Sequence, residues 1–205
     1  MTFKEAASIP QASVVALQGL RNHGQIKKGQ KVLINGASSG IGTFAVQIAK
    51  SFGAEVTGVC STKKIDMIHS IGADNVIDYT IEDFTKSGQL FDIIFDLHVS
   101  HSISEYKRAL VPNGAYIACD FNPTSIFLGP MISLFGNKKV KSYMAKLNTN
   151  DLRDIKELIE TGKIKPIIDR CYSLNQIAEA INYYEEKHTK GKIVINIDQD
   201  SNKGD

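Results

Sequence analysis

Apolar residues along the chain follow two alternating rhythms. Short β-branched or aromatic runs, "KVLIN" (31–35), "EVTGVC" (55–60), "NVIDY" (75–79), "FDIIF" (91–95) and "GAYIAC" (114–119), predict strands buried on both faces. Between them the spacing changes to i, i+3, i+4. Ile41, Phe44, Ala45, Ile48 and Ala49 mark one amphipathic helix that ends near Gly53, and Ile65, Ile68 and Ile71 mark a second. A third is expected from about Ile103 to Leu110. Each segment closes on Gly, Asp, Asn or Pro. Such alternation predicts an α/β domain whose parallel sheet is covered by helices on both faces.

Further along, Val140 to Met144 reads as another strand after the apolar segment 125–136. Leu152, Ile155, Leu158 and Ile159 mark a helix that starts near Asn150-Asp151 and stops at Gly162. The pattern then changes. "KPIIDRCYSL", a helix carrying Ile177, Ile181 and Tyr184, and "KIVINI" make a small strand–helix–strand appendix, followed by a polar tail expected to be disordered. The chain therefore divides into 1–163, 164–198 and the tail 199–205. In front of the first strand, residues 4 to 23 form a helix-like segment with Val14, Val15, Leu17 and Leu20. A doubly wound domain usually opens on its first strand, so more chain is expected to precede this segment.

Composition narrows the function classes. The 205 residues suit one large domain, or one plus a smaller fragment, and 42% hydrophobic content is enough for a substantial core. A net charge of +2 gives no general attraction to nucleic acid or membrane. Cys60, Cys119 and Cys171 lie far apart without a CxxC pair, which argues against a disulfide framework or a cysteine-rich zinc knot. The N-terminus lacks the features of a secretory leader, and 125–136 is too short to span a bilayer, so it is expected to line a pocket or interface. A cytoplasmic, reducing compartment is the expectation.

The candidate chemistry sits in "VLINGASSGIG" (32–42). A dinucleotide pyrophosphate needs bare backbone N–H groups and a positive helix end where strand one turns into helix one. In Gly36-Ala37-Ser38-Ser39-Gly40-Ile41-Gly42 every residue except Ile41 is small, and the flanking strand and helix supply the required context. The reading is a Rossmann doubly wound sheet that holds a dinucleotide. About 20 residues past such glycines, an acid would select NAD through its ribose hydroxyls. Here Cys60-Ser61-Thr62-Lys63-Lys64 offers hydroxyls and ammonium groups, with no carboxylate before Asp66. NADP(H) is the expected cofactor.

Two dehydrogenase families write this loop similarly. The short-chain loop matches Gly36, Gly40 and Gly42, but that family needs a Tyr-x-x-x-Lys pair. Tyr143 and Lys146 are three apart, and no tyrosine has a lysine four residues on. The flanks "GQKVLINGASSGIGTFAVQIAKSFGAEVTGVCSTKK", "IGADNVIDYTIEDF", "FDIIFDLHVS" and "GKIKPIID…YSLNQIAEAINYYEEKHTKGKIVINI" instead resemble the medium-chain dehydrogenase/reductase superfamily. Within it they resemble the zinc-free quinone oxidoreductase-like branch, often labelled zinc-type alcohol dehydrogenase. The resemblance runs over residues 5 to 198.

That resemblance implies that Ala37, Ser38, Ser39, Gly40, Ile41 and Gly42 hold the pyrophosphate, and that Ser61, Thr62 and Lys64 meet the 2′-phosphate. It puts Tyr79 on the adenosine side, and Leu97, His98, Cys119, Asp120 and Phe121 beside the nicotinamide. Lys192 is a further phosphate candidate. Three letters depart from the family: Ser39 replaces a usual glycine, Val15 a threonine, and His98 a small or apolar residue. The family also begins with a GroES-like β-barrel. Against that pattern this chain lacks the N-terminal catalytic domain, and 164–198 is the remnant that would return to it, with an apolar face left open. No metal site is expected, since His98 and His101 alone fall short of the three or four ligands zinc needs. His23, His69 and His188 read as surface residues. No catalytic acid, base or nucleophile is identified. The implied activity is hydride transfer from NADPH to a quinone, enone or other activated carbonyl. A truncated, non-enzymatic chain that binds NADPH or self-associates is the alternative. A homodimer is expected either way, by pairing of the sixth strand with its twin.

Overall fold

A computed structural model describes residues 1–119, 137–186 and 189–197. Its centre is a six-stranded sheet of β1 (Lys31–Asn35), β2 (Glu55–Cys60), β3 (Asn75–Asp78), β4 (Phe91–Asp96), β5 (Leu110–Ala118) and β6 (Lys139–Ser142), all parallel, in the order β3-β2-β1-β4-β5-β6. The expected α/β doubly wound sheet is present. Alternate residues explain why the strands read as nearly unbroken apolar runs. Val32, Ile34, Ile93, Phe95 and Ile117 join the core on one face, while Leu33, Ile94 and Tyr116 join a second core on the other. The chain leaves β1 in one direction and returns to β4 on its far side, so the carboxyl ends of β1 and β4 flank a crevice where α/β sheets bind ligands.

The expected leading helix is broken in two. α1 (Phe3–Ser8) carries a Thr2/Glu5 capping box, and α2 (Pro10–Leu17) restarts at Pro10, whose missing N–H is harmless in a first turn. α2 runs into a π-helical turn over Gln18–His23, closed by the Gly24 N–H on the Gly19 carbonyl at 2.8 Å. α3 (Gly42–Ser51) follows β1 and packs against α2. α4 (Ile65–Ser70) and α5 (Ile103–Arg108) complete the near helices. α5 stops before Leu110, which belongs to β5. That strand starts earlier than its apolar run suggests, because Leu110 pairs with Phe91 and Ala115 with Ile93, with Asn113 in the left-handed region (φ 65°) between them.

α6 (Thr149–Glu160) is fixed at its start by charge. Asn148 caps it by accepting the Asp151 N–H at 2.9 Å, and the buried Asp151 carboxylate accepts from Gln18 and Arg21 of the π-turn and from Asn148. β7 (Ile168–Ser173), α7 (Ile177–Glu185) and β8 (Lys192–Asn196) form the appendix, whose two strands pair in parallel. β6 ends at Ser142, so Tyr143 and Met144 lie beyond it, in contrast to the strand expected over 140–144. The apolar segment 125–136 and the polar tail lie outside the described residues. Among the described residues no helix is long and apolar enough to cross a membrane.

Candidate nucleotide site

The turn between β1 and α3 is held by its own backbone. Ala37 N–H donates to the Val59 carbonyl at 3.0 Å, Ser39 N–H to Gly36 at 3.0 Å, and Thr43 N–H to Ser39 at 3.0 Å. For the N–H groups of Ser38 and Ile41 no acceptor occurs among the described residues, while Gly40 N–H is turned toward the Gly191 carbonyl through the bridge between Ser39 and Gly191. Such unengaged donors at the start of a ten-residue helix are what a pyrophosphate requires. Gly42 cannot be larger, because a Cβ there would lie 2.2 Å from the Gly36 carbonyl oxygen. Ser39, the unusual letter, accepts the Gly42 N–H on its Oγ at 3.0 Å. Its side chain therefore occupies one helix donor and leaves its own hydroxyl hydrogen to offer.

At the end of β2, Ser61 is half-buried and Thr62 and Lys63 are exposed. The structure refines the role given to Thr62. Its hydroxyl donates to Asp78 at the end of β3, so its single hydrogen is already engaged. Lys64 is half-buried and donates to the Thr189 carbonyl at 2.8 Å; burial lowers its pKa below the ordinary lysine value. Tyr79 follows Asp78, its N–H bonded to the Cys60 carbonyl at 3.1 Å, and the residue is 64% exposed beside the end of β2. The Cys60 thiol is pushed up to about 11 by burial and by Asp78, so it is no thiolate at neutral pH.

The other side of the crevice rests on a buried polar floor that the sequence reading did not name. Asp96, the last residue of β4, is fully buried and accepts from Asn35 Nδ2 at 2.8 Å, from the Tyr116 hydroxyl at 2.8 Å and from the His98 N–H at 3.1 Å. Asn35 also donates to the His98 carbonyl at 3.0 Å, and Leu97 N–H to the Asn35 carbonyl at 3.1 Å. Leu97 and His98 are thereby drawn to the end of β1. Cys119 N–H bonds the Asp96 carbonyl at 3.1 Å, and its thiol donates to the Tyr143 hydroxyl at 3.1 Å. Tyr143 in turn donates to the Val15 carbonyl, which joins the departing residue Val15 to this end of the site. His23 is not an isolated surface residue: its ring stacks on Tyr143 with centroids 4.3 Å apart. Burial, then nearby Lys141, lowers its pKa. Asp120 and Phe121 lie outside the described residues, as does His188.

The appendix reaches the same loop. Gly191 N–H donates to the Ser38 carbonyl at 3.0 Å, and Gly191 and Ser39 form an isolated parallel bridge. Gly191 has φ +95°, and a Cβ on it would stand 2.4 Å from the Ile167 carbonyl oxygen, so only glycine fits here. The Lys192 stem crosses Gly40, with Cδ 2.7 Å from where a Cβ on that glycine would sit. Lys192 is thus beside the glycine-rich turn after β1, while Ser61, Thr62, Lys64 and Tyr79 gather at the far end of β2.

Two of the described histidines are engaged elsewhere. His101 pairs with Asp83 at 3.2 Å and contacts Ser100 at 2.9 Å through Nδ1, while Ser102, in a capping box with Glu105, opens α5. His69 Nδ1 lies 3.3 Å from the Ala73 carbonyl oxygen. Among the described residues no three His, Cys, Asp or Glu side chains converge as metal ligands.

The family model described as "Zinc-binding dehydrogenase" matches residues 71–195. The mouse protein named NAD(P)H oxidoreductase RTN4IP1, mitochondrial, is 33% identical over 96% of this chain and 56% of its own length. A zinc-type alcohol dehydrogenase-like protein of Schizosaccharomyces pombe is 30% identical over 97% of this chain and 60% of its own. Among solved structures, the quinone oxidoreductase from Coxiella burnetii superposes with a TM-score of 0.85 at 26% identity, covering 96% of this chain and 62% of that one. The chain thus spans less than two thirds of each of these proteins.

Proposed function

The chain belongs to the zinc-binding dehydrogenase family of the medium-chain dehydrogenase/reductase superfamily, and from that premise we propose that it is the NADPH-binding part of an oxidoreductase acting on a quinone, enone or other activated carbonyl. The observation that carries this reading is the turn at Ser38 and Ile41, whose two N–H groups find no acceptor among the described residues where the strand order reverses. When bound, the nicotinamide supplies the hydride. The chain's own residues orient it. Ala37 to Gly42 and Lys192 hold the pyrophosphate, Tyr79 walls the adenosine, and Ser61, Lys63 and Lys64 meet the 2′-phosphate. Leu97, His98 and Cys119 line the nicotinamide end, braced from beneath by Asn35 and Asp96. No step is routed through a metal, for which the described residues offer no converging ligands.

Residues 1–163 are the nucleotide-binding domain in this proposal, and 164–198 belong with a catalytic barrel. The open face of Leu174, Ile177, Ile181 and Tyr184 supports that assignment. The same face supports the second reading, a chain without turnover that binds NADPH or self-associates. β6 lies at the sheet edge, so a homodimer can form by pairing it with its twin.

A fluorescence titration of the 205-residue chain with NADPH and NADH tests the cofactor. NADPH is expected to bind more tightly, and equal affinity removes the phosphate role of Ser61, Lys63 and Lys64. Quinone or enone reduction with NADPH separates the two readings: saturable turnover by the purified chain removes the non-enzymatic one. Absence of turnover, with activity when a barrel domain is supplied, assigns this chain the binding role alone.

A further inference from the structure

No carboxylate occurs on the turn that follows β2, but the fold brings one there from the next strand. β2 and β3 run in parallel with Cys60 paired to Asp78, so the Asp78 carboxyl stands beside the residues that immediately follow Cys60. One of its oxygens accepts from the Thr62 hydroxyl. The other accepts from the Thr80 N–H at 2.9 Å and the Thr80 hydroxyl at 2.7 Å. These bonds, led by that from Thr62, outweigh burial and hold the carboxyl below its usual range, so it is ionised at neutral pH.

Two consequences follow for a ligand at the end of β2. A phosphate oxygen can only accept, and Thr62 has a single hydrogen that Asp78 already takes. Neighbouring strands are about 4.8 Å apart. A phosphate at the β2 end therefore approaches a fixed negative charge at a range where exposed like charges still repel. The opposing cations are Lys63, Lys64 and Lys190, and Asp169 lies close enough to Lys64 to offset part of their charge.

We propose that Asp78 is a cofactor-selecting residue: from β3 it engages the Thr62 hydroxyl and sets a negative charge beside the adenosine ribose, which narrows the preference for NADPH over NADH. The assignment rests on the nucleotide reading above and adds a residue to it. It differs from the usual acid at the end of the second strand in acting across one strand and through a threonine.

The test measures dissociation constants of the full chain and of Asp78→Asn for NADPH and NADH. The same is done for the half-cofactors adenosine 2′,5′-bisphosphate and 5′-AMP, which need no nicotinamide pocket. The expected result is that NADPH and the bisphosphate tighten about 3- to 10-fold while NADH and AMP move less than about 2-fold. The gain should shrink in high salt, as a charge effect must and a change of shape need not. Asp78→Ser removes the same charge with a smaller side chain and should shift the ratio in the same direction. A ratio that stays put, or moves toward NADH, overturns the assignment and leaves the nucleotide reading intact. If the unaltered chain binds neither dinucleotide, both fall. Loss of fold in both variants makes Asp78 a structural residue and also overturns it.

Discussion

α3 and α7 carry the same kind of apolar stripe, and they meet opposite fates. In α3, Phe44, Ala45, Ile48 and Ala49 are fully buried between the sheet and α2. In α7 and the turn before it, Leu174, Ile177, Ile181 and Tyr184 are 54%, 47%, 50% and 66% exposed. The strands differ in the same way. β1 and β2 are buried beyond their first residue, whereas β7 and β8 are mostly half-covered. A periodic stripe specifies that a face wants cover and does not specify what supplies it. One region builds its own cover, and the other is secured to it through the Gly191 seam and α1.

The largest effect that would break this contrast is expected in the core. Phe44→Ala should cost about 3–5 kcal/mol in urea unfolding, because the removed ring leaves a cavity between packed layers. Ile181→Ala should change stability by no more than about 0.5 kcal/mol, since half of that side chain is already in water. Comparable losses at the two sites would mean that the α7 face is covered in solution, and sedimentation of the same samples would identify self-association as the cause. Next in size is the seam. Gly191→Ala forces a left-handed alanine against the Ile167 carbonyl and should cost about 1–3 kcal/mol. It should also weaken both dinucleotides by a similar factor, since it shifts Lys192 and the cover over Ser38. Unchanged affinity would show that the appendix takes no part in holding nucleotide.

How much of this could be read from the sequence depended on how local each signal was. β1, α3 and β2 were legible because two-sided burial writes long apolar runs and helix burial writes a 3.6 period. The π-turn and the register break near Asn113 leave no such trace. Among the site residues, the glycine loop announced itself, since the chemistry of close approach restricts it to small side chains. Tyr143 did not. Its hydrogen bond to Val15 crosses 128 residues, and in the sequence it read as strand and as half of a failed Tyr-x-x-x-Lys pair. His23 and Asp96 were missed for the same non-local reason, although an acid closing the apolar run Ile93-Ile94-Phe95 could have drawn attention to Asp96. The Asp78–Thr80 turn did have a local signature, Asp-x-Thr beginning on the last residue of a strand.

A smaller effect separates the regions by pH. Asp151 pins α6 to the π-turn, with burial raising its carboxyl pKa and the stronger bonds from Gln18, Arg21 and Asn148 lowering it below the usual value. Because the folded pKa is depressed, this stabilisation is complete above the unfolded value of about 3.9 and is lost as pH falls through the folded one. Arg21 is one-third exposed, so solvent screening limits the ion pair's contribution to about 1 kcal/mol or less at neutral pH. Asp151→Asn should lower Tm at pH 7 and make it less sensitive to acid below about pH 4 than the unaltered chain. Parallel acid limbs in the two proteins would remove Asp151 as the source.

The smallest expected change reaches the loop itself. Ser39 accepts the Gly42 N–H, so it stabilises the start of α3 while withholding one donor from a pyrophosphate. Ser39→Gly returns that N–H and should cost about 0.5–1 kcal/mol of stability through the lost cap and the looser backbone. Dinucleotide affinity should rise about 2-fold, equally for NADPH and NADH, because both share the pyrophosphate. The appendix should be unaffected as long as the Gly191 bond to the Ser38 carbonyl, a backbone contact, persists. A fall in affinity for both cofactors would reverse the role of Ser39, since only a hydroxyl that donates directly to phosphate loses affinity on removal. Equal shifts with opposite sign therefore distinguish a serine that tightens the helix from one that grips the ligand.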